Sequence, residues 1–142
     1  MTLADGMEGL VRSQITNDYF YMNKNKIVIP RSGTHGIYEF DVAGGETVDF
    51  QVAVTTDQAG VNNSLWLILY QDGKKVAASV DDSETKGDDN ASLTLIYKAK
   101  AREGGSNFEL KAQGSTANRV IPATQMQIGY KTYGPGHMLS VL

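Results

Sequence analysis

Ser64–Tyr70, SLWLILY, is the stretch whose reading decides the fold. From Leu65 to Tyr70 it is apolar without a break, so these side chains cannot share one side of a strand. In extended backbone Leu65, Leu67 and Leu69 point one way, and Trp66, Ile68 and Tyr70 point the other. Such a strand is covered on both faces, or covered on one and contacted by a neighbour on the other. The run is too short to span a bilayer. A buried helical segment is the competing reading, and the flanks oppose it. Asn62-Asn63 before the run and Asp72-Gly73 after it are turn signals.

On the C-terminal side, Asp72-Gly73 makes a hairpin turn and Lys74–Val80 returns as the partner strand. Residues 81–90, DDSETKGDDN, are the most polar loop. Ala91–Lys98 sets Leu93, Leu95 and Tyr97 on one face and Ile96 on the other. After a turn through Gly104-Gly105, Asn107–Gln113 carries Phe108, Leu110 and Ala112 inward. Gly114–Ala123 reads as a loop with an isolated Arg119. Thr124–Tyr133 closes the set with Met126, Ile128 and Tyr130 on one face.

On the N-terminal side, Thr47–Thr55 has the clearest alternation: Val48, Phe50, Val52 and Val54 inward, Asp49, Gln51 and Ala53 outward. A polar loop, Thr56–Asn63, follows it. Gly36–Val42 sets Tyr38, Phe40 and Val42 against Glu39 and Asp41. Arg31–His35 reads as a loop. Tyr19–Met22 and Lys26–Pro30 read as two short strands around the turn Asn23-Lys24-Asn25, with Pro30 ending the second.

The chain has 142 residues, enough for one domain that buries about 70% of its unfolded surface. It has no cysteine, which excludes a disulfide framework and a thiolate metal site. The net charge of −3 is mild, and the basic residues are scattered, which speaks against a nucleic-acid partner. The start, MTLADGMEGLVRSQ, lacks the basic opening and unbroken apolar core of a secretory signal. As written, the chain reads as one used without such export, and no stretch calls for a membrane.

No segment reads convincingly as helix. Alternations spaced about ten residues apart predict an all-β fold: an antiparallel, jelly-roll-like β-sandwich of about eight to nine strands with an N-terminal arm. The expected organisation is an arm over 1–18, a sandwich over 19–133 and a tail over 134–142. In the first segment Leu3, Met7, Leu10 and Val11 fall at helical spacing, but Gly6 and Gly9 weaken any helix. It is either a frayed tail or an arm that orders against a partner subunit.

The order Tyr38-x-Phe40-x-Val42, Gly45, Val48-x-Phe50-x-Val52, Leu65-x-Leu67-x-Leu69-Tyr70, Asp72-Gly73-Lys74 and Val76-Ala77 is a family-like pattern. It continues through Asp81-Asp82, Leu95 and Tyr97, Gly104-Gly105, Phe108-x-Leu110 and Ile128-x-Tyr130. Over about residues 36–132 this resembles the bacterial pre-peptidase C-terminal domain, a small sandwich appended to secreted hydrolases. The resemblance implies the sandwich fold and a binding or accessory role. It is carried by strands and turns, not by catalytic residues. In general design, with no motif behind it, a sandwich with an arm at each end also resembles the small capsid decoration proteins of tailed phages.

The chemistry on offer is sparse. Asp81, Asp82, Asp88 and Asp89 are candidate calcium ligands, as closely spaced carboxylates can supply oxygens. The spacing lacks the glycine and terminal glutamate of a helix–loop–helix calcium loop, and a solvated loop is the competing reading. His35 and His137 lie far apart in the sequence and read as surface loop residues rather than zinc ligands. No serine sits in a nucleophile elbow, and no glycine turn opens a helix as a phosphate loop must. Trp66 reads as core or subunit contact. Tyr19, Phe20, Tyr21 and Tyr133 read as contact residues or as packing for the open edge of the sandwich.

The expectation is therefore a non-enzymatic structural protein without a cofactor. Its most concrete form is a phage capsid decoration protein, located in the virion, that docks on a capsid shell and forms a homo-oligomer. The expected contact residues are Leu3, Met7, Leu10, Val11, Tyr19 and Tyr21. The alternative is a glycan- or surface-polymer-binding accessory module, which would be extracellular.

Overall fold

The structure, a computed structural model, describes residues 16–58, 64–80 and 90–134. Ten strands are found there: β1 (Thr16–Met22), β2 (Ile27–Ile29), β3 (Thr34–Val42), β4 (Thr47–Gln58) and β5 (Trp66–Gln71) come first. β6 (Lys74–Val80), β7 (Asn90–Lys100), β8 (Ser106–Gln113), β9 (Arg119–Ile121) and β10 (Met126–Tyr133) follow. They form two four-stranded sheets, β1-β10-β4-β7 and β3-β8-β5-β6, and a two-stranded ribbon, β9-β2. Every pairing is antiparallel. Except for the β5–β6 hairpin, successive strands of the two large sheets cross from one sheet to the other. That is the chain path of a jelly roll.

The alternations explain the core. Val48, Phe50, Val52 and Val54 of β4 face Phe40, Val42, Leu65, Leu67, Leu69, Phe108 and Leu110 of the opposite sheet in one buried cluster. Burying each Leu-sized side chain contributes about 1.5–3 kcal/mol. A ladder of rings crosses it: Phe40 stacks on Phe108 at 5.2 Å, on Phe50 at 5.7 Å and on Tyr130 at 4.0 Å. Tyr130 in turn carries Tyr19 at 4.6 Å.

The hairpin after SLWLILY forms as expected. Asp72 and Gly73 both take positive φ, 54° and 81°, the backbone of a type I′ turn. On the second face of that strand Ile68 is buried within its own sheet, while Trp66 and Tyr70 are half-buried. Ile68 lies between Lys111 and Ala78 in register, and the Lys111 ammonium stands 5.0 Å from the Tyr70 ring centre.

Several expectations are corrected. The two N-terminal strands do not form a hairpin: β1 pairs with β10, and β2 with β9. Asn23 is the cause. Its buried amide donates to the Pro122 carbonyl at 2.9 Å and to that of Asn25 at 3.0 Å, and its Oδ1 accepts the Met126 N–H at 3.0 Å. The chain is thus tied across to 122–126 instead of folding back. β1 begins at Thr16, so residues 16–18 of the expected arm pair with 131–133. Residues 119–121 are a strand, not loop, and Arg119 is buried. β4 runs on to Gln58 where a polar loop was expected. β3 starts at Thr34, placing His35 in a strand opposite Ala112.

Candidate functional site

β1 puts Tyr19 and Tyr21 on the sandwich side and Phe20 on the outer side. Tyr21 stacks on Tyr38 at 5.0 Å and packs against the core; Tyr19 stacks on Tyr130 and remains 45% exposed. Phe20 is 69% exposed. Its cross-strand row continues through Gly129 of β10 and Gln51 of β4 to Ile96 of β7. Ile96 is 71% exposed. Two large apolar side chains thus stand at the two edges of one sheet, with a glycine and a glutamine between them.

This arrangement makes a trough. A depression of about 460 Å³ is lined by Asp18, Gln51, Ile96, Gly129, Lys131 and Tyr133 among others. A second, of about 190 Å³, shares Gln51 and Gly129 with it and is bounded by Phe20. Gly129 sets the depth. A Cβ built there meets nothing nearer than the Tyr19 carbonyl at 3.9 Å, so the fold leaves room for a side chain. Glycine in a strand interior costs stability, and it commonly marks close approach by a ligand or another backbone.

The neighbouring row is charged. Asp18, Lys131, Asp49 and Lys98 lie side by side across the four strands, with signs that alternate. Lys131 is 3.8 Å from Asp18, and Lys98 is 3.5 Å from Asp49. On the other side of the trough the row is Met22, Gln127, Ala53 and Thr94. Inside the sheet, burial together with the neighbouring Tyr38 pushes the Tyr130 phenol upward.

Two other polar groupings serve the fold. Arg119 Nε donates to Asp57 Oδ1 at 2.9 Å, and an Arg119 amino nitrogen donates to Thr56 Oγ1 at 2.6 Å. This pins the β9-β2 ribbon to the far end of β4. At the opposite end Asp72 Oδ1 accepts the Asn107 backbone N–H at 2.9 Å, and Arg102 Nε lies 3.1 Å from Asp72 Oδ2. The Asn107 hydrogen bond holds the Asp72 carboxyl below the usual range; desolvation opposes it, and Ser106 and then Arg102 add smaller effects in the lowering direction.

Among the described residues no group of three or more His, Cys, Asp or Glu is placed to hold a metal ion. Asp81, Asp82, Asp88 and Asp89 lie outside the described residues, as do Leu3, Met7, Leu10, Val11 and His137. Of the expected contact set, then, Tyr19 and Tyr21 are described. Phe20 reads from the sequence as a contact residue or as packing for the open edge, and Ile96 only as the apolar residue on the other face of its strand.

No family model matches the chain, and no curated protein does. Solved structures match in fold. The infectious bursal disease virus Gx strain structure superposes with a TM-score of 0.61 at 8% identity, over 86% of this chain and 33% of that one. The VP2 subviral particle of infectious bursal disease virus gives 0.59 at 8% identity, over 86% and 34%. Eiger TNF from S. frugiperda gives 0.52 at 11% identity, over 85% and 93%. This chain therefore spans about a third of the virus chains. At such identities the likeness is one of fold: an all-β sandwich.

Proposed function

We propose that the protein is a non-enzymatic structural subunit that joins a larger protein assembly, most concretely a virion-surface decoration protein of a phage. The carrying observation is the outer face of the β1-β10-β4-β7 sheet. Phe20 and Ile96 are exposed there at opposite ends of one row although the core is already complete. With Met22 beside Phe20, three large apolar side chains are exposed on this one face, which favours its reading as a contact surface. The N-terminal segment enters at the edge of this sheet. Its Leu3, Met7, Leu10 and Val11 supply further apolar area for docking on a capsid shell. The virus-particle structures of the same fold support this reading at the level of architecture.

Co-sedimentation with purified capsids tests it, comparing the full chain with Phe20→Ser and with a variant lacking residues 1–15. Binding by the full chain and its loss in both variants is expected. Full-affinity binding by both would overturn the reading.

A second reading is favoured by one feature. The trough sets Phe20 and Tyr133 near Gln51, Asp49 and Lys131, an aromatic and polar mixture suited to a glycan or surface polymer, as in an accessory module. Retardation of the natural chain, but not of Phe20→Ser, in polysaccharide-containing gels would favour it over the shell.

A further inference from the structure

We propose that the outer face of the β1-β10-β4-β7 sheet takes a second copy of this chain, stacked face to face about a two-fold axis that runs along the strands. The inference rests on reading that face as a protein contact and names its occupant: two copies close the face between them, the pair meets the shell through its two N-terminal segments, and Phe20→Ser weakens shell binding by halving that valency.

The strand order and register carry it. An axis along the strands, between β10 and β4, lays β1 over the partner's β7 and β10 over the partner's β4. The charged row reads Asp18, Lys131, Asp49, Lys98 across the sheet. Under this operation Asp18 meets the partner's Lys98, and Lys131 meets the partner's Asp49. Each contact occurs twice, as an isologous interface requires. Every charge of the row then faces its opposite. In the next row Phe20 meets the partner's Ile96, so both exposed apolar side chains are covered by apolar side chains. Gly129 meets the partner's Gln51, which fills the low point of the trough with a side chain.

A two-fold axis across the strands does worse. It would set Phe20 over the partner's Phe20 and the charged row over the uncharged row that holds Gln127 and Ala53. The register thus selects one symmetric arrangement.

Size sets the strength. A face four strands wide, about 19 Å, and seven residues long, about 23 Å, covers roughly 440 Å² per copy and roughly 900 Å² in the pair. That lies below the stable class of interfaces and among weak, transient ones, so association depends on concentration, and the exposed charge pairs make it depend on salt.

Sedimentation velocity on the full chain, over concentration and at two salt levels, tests the proposal with Asp49→Lys, Lys131→Asp and the double variant. Each single reversal sets like charges over one another twice, and association weakens about tenfold or more. The double reversal restores opposite signs at both positions, and association returns to within about threefold of the natural chain. Inside one chain the double reversal acts the other way. It puts like charges side by side at 18 and 131 and at 49 and 98, so a row serving only its own sheet would gain nothing from it. A natural chain that stays monomeric at millimolar concentration, or a double variant no better than the singles, overturns the proposal. If the chain is monomeric yet co-sediments with capsids through Phe20, the two-fold stack falls and the assembly reading stands. If it self-associates with charge rescue but binds no shell, the stack stands and the shell reading falls.

Discussion

Arg119 is the residue whose role is furthest from its appearance in the sequence. A lone arginine between Gly114 and Ala123 reads as a solvated loop residue, yet its side chain is 0% exposed. Its guanidinium is held by Asp57 and Thr56. Arg119→Ala removes these bonds and leaves a cavity, and a loss of about 3 kcal/mol is expected in urea unfolding. Thr124 is the opposite case. It is exposed, and its φ of 65° is one that a β-branched residue seldom takes. Thr124→Gly relieves that strain and should stabilise the fold by about 1 kcal/mol, read as a raised melting temperature. Asp72 gives a pH signature. Its folded pKa is depressed, so its contribution is present above the unfolded value near 4 and is lost as pH falls through the folded value. Asp72→Asn tolerates the left-handed backbone and removes the charge. The stability gap between it and the natural chain should be open at pH 6 and close as pH falls through the depressed folded value.

At the scale of elements, strands with strict alternation could be read directly. β4 over 47–55 and β8 announce their inner faces because valine, phenylalanine and leucine recur at every second position. SLWLILY announces a strand by its length and flanks, but which neighbours cover its second face is a matter of register, and Lys111 does not look like a cover until it is aligned with Ile68. β9 was illegible for two reasons. It is three residues long, and one of its two inward side chains, Arg119, is charged. The end of β4 was hidden likewise, since Thr56 and Asp57 are polar and are kept in the strand's extension by Arg119. The candidate face was half legible. Ile96 stands out as apolar on an outward position, but its alignment with Phe20 across two intervening strands depends on sheet order, which no local pattern encodes. Gly129 links fold and contact. It lies in a central strand with space above it. Gly129→Val should hold or raise stability by up to about 1 kcal/mol while filling the trough. Melting and binding should therefore move in opposite directions.

For the whole molecule, the jelly-roll path brings the two ends of the sandwich together. β1 begins and β10 finishes at one end of the same sheet, with Thr16 opposite Tyr133. The segments before and after them therefore join the sandwich side by side, next to the row of Asp18 and Lys131. Removing residues 1–15 leaves every described strand intact, so the melting temperature should change little while attachment is lost. The most direct test of the outer face as the contact surface is side-chain oxidation footprinting of the protein free, at a dilution that keeps it monomeric, and in its native assembly. The expected result is strong protection of Phe20 and Met22 on assembly, with Val80, on the opposite sheet, reacting as before. Equal reactivity of Phe20 and Met22 in the two states would contradict it.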